Sequence, residues 1–121
     1  MITKLDLRPK LEISAFEATS DIEKFQNQTL RPILKFQNEV YVAIFSTYVK
    51  KLKVDSSKLV QERRNLFMEQ SILKNAALKN MLIGITIGLL SNEEIKFYVK
   101  ESKELNKRII SMVIERLKNQ I

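Results

Sequence analysis

The sequence predicts an all-α protein: a compact bundle of five or six helices around a central apolar helix, with an extended N-terminal arm. Three observations lead to this fold class. Apolar residues recur at three- and four-residue spacing through most of the chain, as on the inward faces of helices. Residues 76–90 are apolar on nearly every side, which is typical of a helix buried inside a protein. Residues 4–14 alternate strictly between polar and apolar side chains, which is the period of an extended segment.

The chain of 121 residues fits one domain, with an extended arm over residues 1–19 and a helical bundle over residues 20–121. Nothing after the arm has the clear pattern of a strand that could pair with it, and an isolated strand is unstable in water. Pro9 cannot donate a ladder hydrogen bond, so any pairing is at an edge or is interrupted there. The arm therefore either docks on its own helices or forms a ribbon with the arm of a second copy.

Two helix starts are predicted in the first half of the bundle. Ser20-Asp21-Ile22-Glu23 has the pattern of a capping box and opens a short helix that runs to about Gln28. Thr29-Leu30-Arg31-Pro32 has the pattern of a second start, because proline is tolerated in the first helical turn. A long amphipathic helix follows, to about Lys51. The alternative is one helix that continues through Pro32 with a kink.

The central helix predicted over residues 76–90 is roughly 22 Å long, which is short of the roughly 30 Å that spans a bilayer. We therefore expect no membrane span. Gly84 and Gly88, four residues apart on one face, predict a close approach by a neighbouring backbone.

The other helices are bounded by polar residues that can cap or turn the chain. The candidate boundaries are Asp55-Ser56-Ser57 and Lys74 for one helix, Asn75 for the central helix, Ser91-Asn92-Glu93-Glu94 and Glu101-Ser102 for the next, and residues 103–119 for the last. A helix that is continuous through Asn75 is the alternative at that position.

The composition excludes most catalytic chemistry. The sequence contains neither histidine nor cysteine, so it has no imidazole base, thiolate nucleophile, disulfide or thiolate zinc site. Both glycines lie in the apolar helix, which leaves no glycine-rich loop for a phosphate. The densest carboxylates are read as helix caps and partners of surface lysines: Glu93, Glu94, Glu101 and Glu104. We therefore predict a non-enzymatic protein with no catalytic residue, cofactor or metal.

A net charge of +7 raises the question of an anionic partner. If the helix continued through Pro32, one polar and basic stripe could contact an anion or a partner's acidic groups. The members of this stripe are Lys24, Asn27, Arg31, Lys35 and Asn38. The alternative is that they are solvated side chains on two separate helices.

Two nucleic-acid interpretations follow from the same charge. A helix-turn-helix around Glu101-Ser102 would direct four polar residues of the last helix toward a groove: Lys103, Asn106, Lys107 and Arg108. Alternatively, two arms would form a β-ribbon with Lys4, Arg8 and Lys10 facing the DNA. Acidic residues would meet the DNA phosphates on both surfaces, which counts against both interpretations. They are Glu101 and Glu104 in the helix-turn-helix and Asp6 and Glu12 on the arm.

Two segments, Thr29–Asn38 (TLRPILKFQN) and Leu105–Leu117 (LNKRIISMVIERL), resemble a family of small helical bacterial proteins of uncharacterised function. The resemblance extends over most of the chain beyond about Ser20, and it implies a compact bacterial protein without carrying over any functional residue. Some members bear the label glyoxalase. The glyoxalase superfamily is built on paired βαβββ modules with a metal held by His and Glu, which a chain without histidine and with at most one strand does not match.

The leading interpretation is a cytoplasmic protein–protein interaction or oligomerisation module, most simply a homodimer. Its contact surfaces would be the arm and the apolar flanks of the long and last helices. The alternative is a basic nucleic-acid-binding protein. The arm's charged residues, among them Lys4, Asp6 and Arg8, are unlike a secretory signal, which leads us to expect a cytoplasmic location.

Overall fold

The computed structural model describes residues 3, 4, 6, 7, 20–52 and 60–120, and it confirms an all-α bundle. Within these residues no strand forms. The elements are α1 (Asp21–Phe25), a π-helical segment (Gln26–Leu30), α2 (Arg31–Phe36), α3 (Asn38–Lys51), α4 (Gln61–Leu73), α5 (Ala76–Ile87), α6 (Asn92–Lys100) and α7 (Ser102–Lys118). α1, the π-helical segment and α2 follow one another without a gap and so form one continuous helix. Counted in this way, the described residues contain six continuous helices.

The helix continues through Pro32, which was one of the two alternatives at this position. The Arg31 N–H donates to the carbonyl of Gln26, five residues back, so the turn directly before the proline is a π turn. Proline has no N–H and its ring crowds the carbonyl four residues earlier; the wider π turn accommodates both effects. The interruption comes later, at Gln37, where φ is −90° and ψ is 9°.

Three predicted helix starts are capped by side chains. The cap bonds run from the Glu23 N–H to Ser20 Oγ at 3.1 Å, from the Leu78 N–H to Asn75 Oδ1 at 3.0 Å, and from the Glu94 N–H to Ser91 Oγ at 3.3 Å. The Ser91 N–H also donates to Glu94 Oε1 at 2.8 Å, which completes the capping box. Asn75 has φ −114° and ψ 100°, so the helix breaks there. The predicted caps at 55–57 lie outside the described residues.

The centre of the bundle is α7. This helix packs against α3, α4, α5, α6 and the π-helical segment. Its buried residues cover a broad face: Leu105, Ile109, Ile110, Val113, Ile114 and Leu117. The central position expected for residues 76–90 therefore belongs to α7, and α5 lies to one side of it. As a result, α7 has little apolar flank left for a second chain.

One face of α5 is buried, and the opposite face is open. Leu78, Leu82 and Thr86 are buried at four-residue spacing, whereas Gly84 and Gly88 are exposed. Among the described residues, no atom outside the backbone of α5 itself lies within 4 Å of the position that a Cβ on Gly84 would occupy. The close approach predicted at the glycines is therefore not made by any described residue at Gly84. Apart from Met81, which is 50% exposed, the exposed apolar residues of α5 are small, so a strongly apolar helix can lie at the side of the bundle with limited apolar surface in water.

The described residues of the arm form a turn. The Asp6 N–H donates to the Thr3 carbonyl at 3.1 Å, and the Thr3 N–H donates to Asp6 Oδ2 at 2.9 Å. These hydrogen bonds with Thr3 lower the pKa of the Asp6 carboxyl. Lys4 Nζ donates to the Leu90 carbonyl at 3.3 Å, so this part of the arm contacts its own bundle. The extended conformation predicted from residue 4 is wrong at this turn; most of the arm lies outside the described residues.

Candidate functional site

Two open grooves flank the outer face of α7 and share Ser111. The arginine groove, between α2 and the C-terminal half of α7, has a volume of about 500 Å³ and is lined by Arg31, Leu34, Ser111, Met112, Glu115, Arg116, Asn119 and Gln120. The lysine groove, between α4, α5 and α7, has a volume of about 480 Å³ and is lined by Leu73, Lys79, Asn80, Ile83, Asn106, Lys107, Ile110 and Ser111. Ser111 therefore joins two concave surfaces along one helix.

Both arginines of the first groove are oriented by neutral amide oxygens. Arg31 Nε donates to Asn27 Oδ1 at 2.9 Å, within the same continuous helix. Arg116 Nη1 donates to Asn38 Oδ1 at 3.4 Å. In the part of the chain that the structure describes, neither guanidinium forms a salt bridge. Their positive charges therefore remain available to a ligand.

A reciprocal pair of amides holds Asn38 in place. Asn38 Nδ2 donates to Gln120 Oε1 at 2.6 Å, and Gln120 Nε2 donates back to Asn38 Oδ1 at 2.8 Å. Gln120 Nε2 also donates to the Arg116 carbonyl at 2.9 Å. These bonds connect the first turn of α3 to the residues that follow α7, beside the arginine groove.

Tyr41 lies close enough to Arg116 to respond to its charge. Burial raises the pKa of the Tyr41 phenol to about 12, while a hydrogen bond that Thr86 would donate to the ionised oxygen and the positive charge of Arg116 act in the opposite direction. The phenol is therefore neutral near pH 7. Tyr41 consequently does not neutralise Arg116.

The lysine groove has an apolar floor and a cationic rim. Ile110 is buried and Ile83 is half-buried, whereas Lys107 is exposed and Lys79 is half-buried. Asn106 is fixed at one side, because its Oδ1 accepts a hydrogen bond from the Tyr98 hydroxyl at 2.6 Å. This arrangement suits a ligand that carries both apolar and acidic groups.

The structure divides the stripe predicted over Lys24, Asn27, Arg31, Lys35 and Asn38. Arg31 enters the arginine groove, while Asn27 and Asn38 orient its two arginines. Lys24 instead lines another concavity, where Phe25 stacks on Phe97 with ring centroids 4.9 Å apart. Lys35 is exposed. The π-helical segment accounts for the division, because a wider turn rotates Lys24 relative to Arg31. Anion or partner binding by these residues stays a prediction.

The residues predicted to face a DNA groove do not lie on one common surface. These residues are Lys103, Asn106, Lys107 and Arg108. Arg108 Nε lies 3.1 Å from Glu104 Oε1, and its Nη1 donates to Gln26 Oε1 at 2.7 Å, so this side chain lies against the π-helical segment. Lys107 and Asn106 line the lysine groove, and Lys103 is exposed. Only Glu101 separates α6 from α7, whereas a helix-turn-helix has a turn of about three or four residues.

Sequence reasoning missed several residues of the two grooves: Lys79, Asn80, Glu115, Arg116 and Gln120. One signal was available, because Lys107, Ser111 and Glu115 recur every four residues and mark the outer face of the last helix. The partners across each groove come from distant parts of the chain, and no local pattern brings them together.

No family model matches this chain, and no curated protein and no solved structure matches it either. Among the residues that the structure describes, no three or more Asp, Glu, His or Cys side chains are grouped so that they could hold a metal ion. Within the same residues, none of the helices has both the length and the apolarity required to cross a lipid bilayer.

Proposed function

We propose that this protein is a non-enzymatic, cytoplasmic interaction module that binds an acidic, amphipathic segment of a partner protein across α7. One observation carries this proposal: the two joined grooves contain four cationic side chains and one carboxylate above an apolar floor. The charged residues are Arg31, Lys79, Lys107 and Arg116, with Glu115 as the carboxylate.

The apolar floor favours a protein segment as the ligand. Leu34 and Met112 line the arginine groove, and Ile83 and Ile110 line the lysine groove. An amphipathic helix can place apolar side chains into such grooves at three- and four-residue spacing. Its carboxylates would then face the cations on the rims, and this complementarity would increase the association rate and set the orientation.

Composition and resemblance support the remaining parts of the proposal. The sequence has no histidine and no cysteine, which is compatible with a non-catalytic protein in a reducing cytoplasm. The segments that resemble the small bacterial family, residues 29–38 and 105–117, supply most of the side chains of the arginine groove. We therefore propose membership of that family, without a glyoxalase activity.

A second copy of the chain is the competing partner. The apolar residues of α7 are used in the chain's own core, so the surfaces left for a homodimer are elsewhere. Phe36 is 47% exposed and Val40 is 39% exposed, one turn apart where α2 meets α3. The homodimer predicted from the sequence stays a prediction, and light scattering decides whether it forms.

The test is fluorescence anisotropy with a designed amphipathic helical peptide whose leucine stripe is flanked by glutamates. A peptide of the same composition in scrambled order is the control. We expect saturable binding of the amphipathic peptide and its loss in Arg116→Glu and in Lys107→Glu. Arg63→Glu, an exposed arginine on α4 outside both grooves, is the matched control and should bind like the wild type.

Equal binding of both peptides, or equal loss in Arg63→Glu, would overturn the proposal. A DNA and RNA panel at low salt tests the nucleic-acid alternative, whose affinity would fall steeply as salt rises. If nucleic acid binds and the same groove variants abolish this binding, the partner of the grooves is a nucleic acid and not a protein.

A further inference from the structure

The arginine groove has the side chains that recognise a tetrahedral oxyanion. A guanidinium is planar and presents five N–H donors in a fork that matches phosphate oxygens. In the described residues, Arg31 and Arg116 each use a single nitrogen in a hydrogen bond, and the acceptor is an amide oxygen in both cases. The other N–H groups of both side chains remain available for a ligand in the groove.

Both arginines are held in position before any ligand arrives. Arg31 follows the π turn and is bound to Asn27 one helical turn back. Arg116 is bound to Asn38, which the Gln120 amide fixes through hydrogen bonds of 2.6 and 2.8 Å. A long cationic side chain that is already oriented loses less conformational entropy when a ligand binds.

Charge and size point to a small dianion. The two arginines and Glu115 give the groove a net charge of about +1, and a phosphomonoester carries about −1.5 to −2 at pH 7. Uncharged hydrogen-bonding groups are supplied by Ser111 and Asn119. The groove volume of about 500 Å³ lies within the range of roughly 300–1,000 Å³ that is usual for small-molecule sites.

We infer that the arginine groove binds a phosphoryl group, carried either by a free phosphate ion or by a small phosphomonoester. Arg31 and Arg116 contact the phosphoryl oxygens, and Leu34 and Met112 lie beneath any organic part. Glu115, on the exposed face of α7, opposes the anion. This site goes beyond the proposed docking of a partner segment, because it needs no partner and does not involve the lysine groove.

The experiment is calorimetry and amide NMR titration of the full chain with sodium phosphate and with phenyl phosphate at constant ionic strength. Sodium acetate is the monoanionic control. We expect saturable binding of the phosphoryl compounds and shifts confined to residues 27–38 and 111–120. Tighter binding of phenyl phosphate identifies a phosphomonoester as the ligand class, and equal binding identifies free phosphate. Acetate binding of equal strength would overturn the inference.

Four variants locate the site. Arg31→Gln and Arg116→Gln should each weaken phosphate binding roughly tenfold or more, because each removes charge-assisted hydrogen bonds. Glu115→Gln should strengthen it. Arg63→Gln removes one exposed arginine outside the groove and should leave it unchanged. If Arg116→Gln does not fold, Arg31→Gln and Glu115→Gln still give opposite expected changes.

The same loss in all four variants, or no saturable binding in the wild type, would overturn the inference. Lys79→Glu and Lys107→Glu separate the two proposals, because they alter only the lysine groove. These variants should lose the amphipathic peptide and keep phosphate. A protein that binds phosphate and no peptide therefore refutes only the docking proposal.

Discussion

The hydroxyl oxygens of Tyr41 and Thr86 lie 2.7 Å apart between α3 and α5, and both side chains are buried. Thr86 Oγ1 also lies 2.9 Å from the Leu82 carbonyl, to which it donates its single hydrogen. The Tyr41 hydroxyl is therefore the donor to Thr86. This short chain of hydrogen bonds satisfies the polar groups at the junction of the two helices and fixes how they face each other.

Replacing Thr86 with valine should destabilise the protein by about 1–3 kcal/mol, because it leaves the buried Tyr41 hydroxyl without its acceptor. Adding Tyr41→Phe should recover much of that loss, since the unpaired hydroxyl is then gone as well. Urea denaturation of the two single variants and the double variant measures both effects. Thr47→Val is the control: Thr47 also donates to a carbonyl four residues back, but it is exposed. A Thr86→Val protein as stable as the wild type would contradict the expectation.

The raised pKa of Tyr41 makes stability depend on pH under alkaline conditions. Burial raises its pKa to about 12 in the folded protein, whereas an unfolded tyrosine titrates near pH 10. The folded state therefore holds this proton more tightly. The resulting stabilisation is fully present below about pH 10, and it is lost as the pH rises through 12.

We expect the free energy of unfolding of the wild type to fall more steeply above pH 10 than that of Tyr41→Phe. Urea melts across this range measure both slopes. The phenylalanine variant removes only the contribution of Tyr41 and leaves every other titratable group in place. Parallel curves for the two proteins would show that the Tyr41 phenol is not protected from ionisation.

The position of α7 at the centre can be tested by truncating matched side chains. Ile109 on α7 is fully buried, and Ile85 on α5 is half-buried. We expect Ile109→Ala to lower the free energy of unfolding by about 2–5 kcal/mol. Ile85→Ala should have a clearly smaller effect, because less apolar surface is returned to water. Chemical denaturation compares them, and the reverse order would place α5 at the centre.

Gly84 offers a stabilising substitution. It lies within α5, it is exposed, and among the described residues a Cβ there would meet no atom within 4 Å outside the helix's own backbone. Gly84→Ala should therefore raise the free energy of unfolding by about 0.5–1 kcal/mol through helix propensity. Gly88→Ala is the control, because Gly88 is the C-cap of α5 and not an interior helical residue, so it should gain less from helix propensity. A destabilised Gly84→Ala protein would indicate a close neighbour on this face.

Local features of the fold could be predicted from the sequence. Ser91 and Glu94 form their capping box through hydrogen bonds across three residues, so the four-residue pattern contains the whole interaction. The break at Asn75 follows for the same reason. The centre of the bundle could not be predicted in this way, because hydropathy counts apolar residues without showing which of them face outward.

The candidate site was only partly predictable. Arg31, Asn38 and Lys107 were identified from charge and spacing, but the grooves join α2 and α5 to α7, which come from distant parts of the chain. The π-helical segment was also hidden. The sequence Lys-Phe-Gln-Asn occurs twice, at residues 24–27 and 35–38, and the helix departs from α geometry within both copies, from Gln26 and at Gln37.

The π-helical segment also sets the rotational phase of the helix that contains it. The segment is one residue longer than an α turn requires, so removing the exposed Gln28 would restore a regular helix. A change of one residue corresponds to roughly 100° of rotation. Phe25 could then keep its stacking on Phe97, or Arg31 its place in the groove, but not both. At this helix, residue number matters as much as residue type, so insertions and deletions should be tolerated less well than substitutions.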